Sequence, residues 1–273
     1  MNHRISLAAA AAVAALTTTG ASAQEVDWSG FYVGAHAGGG WMSENDDETV
    51  GFDTDLNGTF NDTVRTGAGA NAFGPGFCGG AAVDSTAAGG CDEDEGGFEF
   101  GGHMGYDMQF GGFVFGALVE ASRTDVEDSV TAFSTTPANY VQTRRLKNLV
   151  ALRARGGFGF GRSLVYATGG VASGDVEHSF NTTNRANTFS VQGGDDRATG
   201  WQLGGGVEHM VTPEVALGLE YLYTTLDDEG GDVRAAGPAG TPFTTVNAAG
   251  TVFRRSESDF ESHSVRVKAS YRF

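Results

Sequence analysis

Alternation of apolar and polar residues along short segments is the feature that most constrains this chain. In FEFGGHMGYDMQF, every second residue from Phe98 to Phe110 is apolar or glycine, and the residues between them are polar or glycine. A period of two places these two sets on opposite faces of a β-strand. One face therefore suits an apolar surrounding, and the other, with Glu99, His103 and Asp107, suits a polar one.

The alternating segments come in pairs that are joined by short turns. GG at 111–112 links FEFGGHMGYDMQF to FVFGALVEAS, GFGR links LVALRARGGF to SLVYATGGVA, and VTPE links GWQLGGGVEHM to VALGLEYLYTTL. A short turn between two alternating runs predicts a β-hairpin. With GFYVGAHAGGGW before the first pair and SVRVKASYRF after the last, the sequence predicts eight strands.

Short and long connections alternate along the chain, and the long ones cover about residues 43–97, 124–146, 174–197 and 227–261. Bacterial outer-membrane barrels combine an even strand number with short periplasmic turns and long outer loops. The expected fold is therefore all-β, an eight-stranded antiparallel up-and-down transmembrane β-barrel with long acidic extracellular loops. The net charge of −17 argues against nucleic acid as a partner.

The polar face of the strands distinguishes this barrel from a secreted one. A secreted β-sandwich or lipocalin-like barrel would alternate in the same way, with its apolar face inward and solvated charges outside. Here the polar face carries small residues such as Gly34 and Gly204 beside large charged ones such as Arg266. Small residues next to long charged ones are what a crowded, narrow lumen requires.

The N-terminal residues predict export. MNHR precedes an apolar run from Ile5 to Leu16 and then ASA ending at Ala23, which is the layout of a secretory signal peptide. We expect cleavage after Ala23, which assigns residues 1–23 to the signal peptide and residues 24–273 to the barrel domain. In an exported chain, Cys78 and Cys91 predict a disulfide within the first long loop.

Several stretches of the chain carry a family resemblance when taken together. They are DWSGFYVGAHAGGGW, LRARGGFGF followed by LVYATGGVASG, GWQLGGGVEHMVTPEVALGLEYLYTTL and VRVKASYRF. This set resembles the small outer-membrane β-barrel proteins of Gram-negative bacteria, the OmpA-like barrels described as porin-family or opacity-type proteins. The resemblance implies a barrel embedded in outer-membrane lipid and a C-terminal aromatic that the barrel-assembly machinery reads, here Phe273 with Tyr271 on the same face.

The inward faces carry charges that a narrow lumen has to accommodate. An isolated buried ion costs several kcal/mol, so we expect ion pairs, with Glu120 near Arg153 and Glu220 near Arg266 or Lys268. The alternative is a narrow porin-like channel for small solutes, which opens when the pairs rearrange. The predicted luminal network is Asp107, Glu120, Arg153, Arg155, Glu208, Glu220, Arg266 and Lys268, together with Arg272.

No cofactor is expected, although two features bear on metal binding. In DTDLNGTFND, Asp53, Asp55 and Asn57 match the opening of a calcium-binding loop, but a valine stands where a bidentate glutamate is needed. An acidic, hydrated turn is the commoner interpretation, and weak calcium binding stays open.

His36 and His103 face inward, where a metal or haem site is conceivable, but lone inward histidines more often hydrogen-bond within a lumen.

The function expected from the sequence is structural or interactive rather than catalytic. The chain has no G-x-S-x-G segment, and no nucleophile is evident beside a base and a third group. We therefore expect a surface role through the extracellular loops, with a surface ligand or host partner that the sequence does not identify.

Overall fold

The computed structural model describes residues 26–43, 48–94, 96–193 and 196–273. The signal peptide predicted for residues 1–23 lies outside the described residues. Within these ranges, no helix is long and apolar enough to cross a membrane. Two short 3₁₀ helices cover Ala87–Gly89 and Pro242–Thr244. The strands are β1 (Gly30–Met42), β2 (Val50–Asp53), β3 (Gly76–Gly79), β4 (Ala81–Ala82), β5 (Cys91–Asp92), β6 (Gly97–Phe110), β7 (Phe113–Arg123), β8 (Glu127–Ser134), β9 (Ala138–Phe160), β10 (Ser163–Thr182), β11 (Thr188–Gln192), β12 (Asp196–Met210), β13 (Val215–Asp227), β14 (Asp232–Ala236), β15 (Thr251–Arg255) and β16 (Asp259–Arg272).

Eight of these strands form a closed antiparallel ring, as the sequence predicts. The order is β1, β6, β7, β9, β10, β12, β13, β16 and back to β1, so each strand has a partner on both sides. β1 and β16 close the ring in a register that sets Val33 opposite Tyr271. The backbone N–H of Phe273 donates to the carbonyl of Phe31 at 2.9 Å. The ring is uneven, because β7 has 11 residues and β9 has 23.

The side chains of the ring strands alternate between an outward and an inward face. On β6, Phe98, Met104 and Phe110 are exposed, whereas Glu99 and Asp107 are buried. An outer surface with so many large apolar side chains is far beyond what a water-soluble protein exposes, and it matches the apolar band of a transmembrane barrel. The last strand follows the same rule, with outward residues Val265, Val267, Ala269, Tyr271 and Phe273.

The long connections contain more strands than the sequence predicts, and β9 and β10 extend into the second and third of them. The β9–β10 hairpin runs from the pair Phe160–Ser163 to the pair Tyr140–Thr182, so both strands continue beyond the ring. β8 pairs with the extension of β9, and β3 pairs with β8. A separate four-stranded sheet has the order β11-β14-β15-β2 and joins segments of three different long connections. These connections contain alternating apolar residues, which pair once they are brought together.

These elements build a cap above the ring, which we define as residues 48–94, 127–145, 176–193 and 228–258. The cap has its own apolar core, in which the rings of Phe52, Tyr140, Phe243 and Phe253 pack with centroids about 6 Å apart. Other members of this core include Val50, Val64, Phe73, Val130, Val233 and Ala235. The long connections therefore fold as one unit.

Apolar clusters also lie at both ends of the ring. At the short-turn end, Trp28, Leu164 and Met210 are almost completely buried. At the end that carries the cap, Leu226 and Phe260 belong to a second cluster. The charged residues of the lumen lie between these two apolar layers.

Phe253 tests whether the cap depends on its aromatic core. Its side chain is 1% exposed, so Phe253→Ala should destabilise the cap by about 3–5 kcal/mol. We expect faster proteolytic cleavage within the cap, while the ring keeps the heat-dependent gel mobility of a folded barrel. The control is Val246→Ala, because Val246 is 61% exposed and its truncation should change the free energy of unfolding by less than about 0.5 kcal/mol. Equal cleavage of the two variants would contradict the prediction.

Candidate functional site

The lumen contains a compact set of charged side chains that come from six of the eight ring strands, β6, β7, β9, β12, β13 and β16. Acidic and basic groups are present in equal number, so their charges cancel when all are ionised. Each is almost completely shielded from solvent, and such burial is tolerated only when the charges are paired. The acidic members are Glu99, Asp107, Glu120, Glu208 and Glu220, and the basic members are Arg153, Arg155, Arg266, Lys268 and Arg272.

Arg266 lies at the centre of this network. Its Nη1 donates to Glu99 at 2.8 Å, its Nη2 to Glu120 at 2.6 Å, and its Nε to Glu220 at 2.9 Å. The strand register sets Gly38 opposite Arg266, and a Cβ at Gly38 would lie 2.6 Å from the Cα of Arg266. The glycine therefore allows β1 to approach β16 beside the large guanidinium group.

A second group of contacts lies closer to the short-turn end. Arg155 donates to Asp107 at 2.9 Å and to Glu208 at 2.8 Å, and Arg272 donates to Asp107 at 2.7 Å. The guanidinium carbon of Arg155 also lies 4.7 Å from the ring centroid of Tyr32, within range of a cation–π contact. Planar guanidinium groups can bind two carboxylates and an aromatic face at once.

Lys268 and Tyr166 connect these two groups of contacts. Lys268 Nζ lies 3.2 Å from Glu220 and 3.6 Å from Glu208. The hydroxyl of Tyr166 donates to Glu220 at 2.7 Å. Arg153 donates to Glu120 at 2.8 Å. The structure thus places the eight residues of the predicted network, and Arg272 with them, in one continuous set of contacts.

Sequence reasoning missed two members of the network, Glu99 and Tyr166. Glu99 lies on the same face of β6 as His103 and Asp107. This shared face could have predicted that Glu99 points into the lumen. Tyr166 stands at an inward position of β10, but its apolar ring gave no indication of a polar partner. Its role depends on the strand order around the ring, which alternation within one strand does not encode.

Two luminal histidines sit opposite glycines in a reciprocal arrangement. The register of β1 and β6 pairs Gly34 with His103 and His36 with Gly101. A Cβ at Gly34 would lie 2.6 Å from the His103 ring, and one at Gly101 would lie 2.8 Å from the His36 ring. Each glycine therefore provides the space that the opposite imidazole occupies.

A second charged cluster joins the cap to the ring. Arg144 donates to Asp128 at 2.6 Å and to the carbonyl of Asp259 at the same distance. Arg255 donates to Glu48 at 2.7 Å and to Asp128 at 2.8 Å. Burial opposes the ionisation of Asp128, but the two guanidinium groups outweigh it and hold the pKa of Asp128 below its usual range.

The predicted disulfide lies beside this cluster and is confirmed, with the Cα atoms of Cys78 and Cys91 6.2 Å apart. Cys91 lines a cavity of about 320 Å³ together with Glu48, Asp94 and Asp128. Burial, and then the neighbouring carboxylate of Asp128, raises the pKa of Asp94 to about 7.

The residues of the calcium candidate lie in a turn of the cap in which Asp53 is buried and Asp55 and Asn57 are exposed. Asp53, Asp55 and Asp62 each place a carboxylate oxygen within 4.8 Å of the others. The Asp53 carboxylate already accepts the backbone N–H groups of Asn57 and Gly58, at 3.1 and 2.8 Å. This is the hydrogen bonding of an acidic turn, and calcium binding stays a prediction.

The predicted assembly signal lies on the outer surface at the short-turn end. Phe273 is 78% exposed, and its ring centroid lies 5.1 Å from that of Tyr271. Both side chains face outward from β16, as expected for aromatic residues at the edge of an apolar band.

Closed strand pairing, an apolar outer surface and a charged interior define an integral outer-membrane β-barrel. The chain matches the family model described as "Outer membrane protein beta-barrel domain" over residues 8–273 and belongs to that family. The predicted localisation in the outer membrane is confirmed.

The chain is similar to the 31 kDa outer-membrane immunogenic proteins of Brucella melitensis and Brucella suis. Each is 33% identical over 141 residues, which cover 51% of this chain and 58% of the relative. The chain thus spans a little over half the length of these curated relatives. Among solved structures, OprG from Pseudomonas aeruginosa is 12% identical with a TM-score of 0.46, covering 91% of this chain and 99% of that one. Ail of Yersinia pestis is 11% identical with a TM-score of 0.37, covering 89% and 99%.

Arg266→Met tests the energetic role of the central guanidinium. The substitution removes the shared cation from three buried carboxylates, and leaving buried charges unpaired costs about 3–5 kcal/mol. The free energy of unfolding, measured by tryptophan fluorescence in denaturant, should fall by that amount. The control is Arg254→Met, because the pair of Arg254 with Asp232 is partly exposed and such pairs contribute less than about 1 kcal/mol. Equal losses in the two variants would argue against the central role of Arg266.

Asp94 should make the stability of the first long connection depend on pH. Its pKa is raised from 3.8 to about 7, so the folded state binds the proton more tightly than the unfolded state. The segment should therefore lose stability as pH rises from about 4 to about 7. Amide hydrogen exchange should show faster opening around Asp94 at the higher pH, and Asp94→Asn should remove this difference. The control is Asp84→Asn, because Asp84 is exposed and its replacement should leave the pH dependence of opening unchanged. Loss of this pH dependence in both variants would show that Asp94 is not its cause.

Proposed function

We propose that this outer-membrane barrel has a structural and surface-interaction role, carried by the cap, and that ion pairs close its lumen. In this proposal the cap faces the exterior, since outer-membrane barrels of this kind place their long loops outside. The observation that carries it is that the long connections form one folded unit with its own apolar core, above a ring whose interior is occupied by mutually paired side chains.

The packing of the lumen supports the closed state. Arg266 and Arg155 each bind two or more carboxylates, and apolar clusters that contain Trp28 and Phe260 lie at the two ends. Opening a path would require separating buried ion pairs, which costs several kcal/mol for each ion left without a partner. The narrow porin-like channel is the alternative function, in which this rearrangement occurs.

The surface of the cap supports an interaction role with positively charged partners. Its exposed acidic residues create a negative potential, which attracts basic groups and repels anionic ones such as nucleic acid. The exposed acids of the described cap residues include Asp55, Asp84, Asp92, Glu93, Glu229 and Glu257.

An enzymatic role is not part of the proposal. Ser122, His36 and Glu120 are the residue types of a hydrolytic triad, and Ser122 Oγ lies 3.0 Å from His36 Nε2. However, His36 Nδ1 and Glu120 are 3.8 Å apart, beyond hydrogen-bond distance, and Glu120 already binds Arg153 and Arg266. All three side chains are buried, so the hydroxyl is not presented to a substrate.

We also propose that Tyr271 and Phe273 act during insertion, as the aromatic residues that the barrel-assembly machinery binds. Their outward position on the closing strand leaves both rings accessible until the barrel enters lipid. This role does not depend on whether the lumen conducts.

Conductance separates the proposed function from the channel alternative. Purified folded protein in planar bilayers should give no current steps, because the luminal charges are paired with one another. A general porin, reconstituted in parallel, serves as the positive control. Reproducible single-channel current steps from the folded wild-type protein would reject the closed lumen and support the channel.

Binding of a cationic probe tests the role of the cap. Protein in lipid nanodiscs should bind poly-lysine in a salt-sensitive manner and should not bind heparin. Replacing Asp92, Glu93, Glu229 and Glu257 by their amides should weaken binding by about tenfold or more. The matched control replaces exposed threonines of the same cap, Thr63 and Thr188, by alanine and should bind as the wild type does. Preferential binding of heparin would reject the electrostatic basis of the proposal.

A further inference from the structure

Two luminal histidines and one carboxylate of the salt-bridge network form a group with the chemistry of a metal site. His36 lies on β1, His103 on β6 and Glu120 on β7, which are neighbouring strands of the ring. Each offers one potential ligand atom, and these atoms lie within 4.8 Å of one another. The three residues are 4%, 3% and 2% exposed.

Each of these side chains also has a buried polar atom without a hydrogen-bond partner among the described residues. These atoms are Nδ1 of His36, Nδ1 of His103 and Oε1 of Glu120. A buried polar atom that lacks a partner costs about 1–3 kcal/mol. Three residues of one cluster that each retain such an atom point to a ligand that accepts electron pairs from them.

The hydrogen bonds of the two imidazoles suit metal binding. Nε2 of His36 lies 3.0 Å from the hydroxyl of Ser122, and Nε2 of His103 lies 2.9 Å from that of Ser270. When Nε2–H donates to the serine, the lone pair remains on Nδ1. Metal-binding histidines in proteins usually donate their second nitrogen in this way, which fixes the ring and the tautomer.

The surrounding charges leave Glu120 available as the third ligand. Its Oε2 accepts from Arg153 and Arg266, whereas Oε1 has no partner. Arg266 is itself balanced by Glu99 and Glu220, so the positive charge beside the site is offset by carboxylates. Gly34 and Gly101 lie against the two imidazoles, so no β-carbon at these positions blocks the rings from facing Glu120.

We propose that His36, His103 and Glu120 bind one divalent transition-metal ion, such as Zn²⁺, inside the lumen. Two imidazoles and one carboxylate are a ligand set for Zn²⁺, Co²⁺ or Ni²⁺, whereas Ca²⁺ and Mg²⁺ prefer oxygen ligands alone. Ligands at about 2.1 Å from an ion lie roughly 3.4 Å apart, so the side chains move together by about 1 Å on binding. The site is separate from the proposed surface role and does not depend on it.

Titration of the full folded chain with Zn²⁺ tests the proposal. Isothermal titration should give one ion per chain, unaffected by millimolar Ca²⁺ or Mg²⁺, and Co²⁺ should give the visible absorption of a nitrogen- and oxygen-ligated ion. His36→Gln and His103→Gln should each weaken binding by about 100-fold or more, and Ser122→Ala by about 10- to 100-fold. The control His209→Gln should bind as the wild type does, because His209 contacts Ser163 outside the lumen.

Heat-dependent gel mobility establishes whether each variant is folded, and nitrogen NMR of the wild type gives a readout that needs no variant. Zn²⁺ should shift the Nδ1 resonances of two histidines. Absence of stoichiometric binding, equal affinity in His36→Gln and His209→Gln, or Zn²⁺ that shifts no Nδ1 resonance would overturn the proposal and leave a water molecule as the group that joins the three atoms.

Discussion

Hydrogen bonding between β1 and β16 is the interaction on which the rest of the structure depends. A sheet in lipid cannot leave an edge with unpaired N–H and C=O groups, because no water is present to satisfy them. Pairing the first and last ring strands removes both edges at once. With eight strands the resulting interior is only wide enough for side chains, and every inward residue must therefore find its partner across the ring. The glycines opposite Arg266, His36 and His103 are a consequence of this narrow interior.

The ring and the cap differ in the polarity of their interiors. In the ring, the apolar side chains point out to lipid and the interior holds ion pairs. In the cap, apolar side chains such as Phe253 and Tyr140 point inward, and acidic residues such as Asp92 and Glu257 face water. The change takes place at Arg144, which binds Asp128 within the cap and donates to the carbonyl of Asp259 on the ring strand β16. A buried cluster of this kind is stabilising only while all its members are present.

Much of the ring could be predicted from the sequence, because alternation within one strand determines which residues face lipid and which face the lumen. The turns between hairpins and the closing pair of strands followed from the same pattern. The cap could not be predicted in this way, since its pairings join distant segments, such as Val252 with Asp53. Acidic residues outnumber the apolar ones near the ends of these segments and conceal short strands such as β2 and β15. Among the luminal residues, Tyr166 was missed because its partner Glu220 is reached through the order of strands around the ring.

The interleaving of β2, β11, β14 and β15 in one sheet has a consequence for how this surface can change. The four strands of that sheet come from three connections, and β15 pairs with β2 from the other end of the chain, so a patch of surface a few residues wide draws on several connections. An antibody that recognises such a patch would see a conformational epitope that no single peptide reproduces. A substitution in one connection must stay compatible with the strands of the others. The connections of the cap can therefore change in sequence only together.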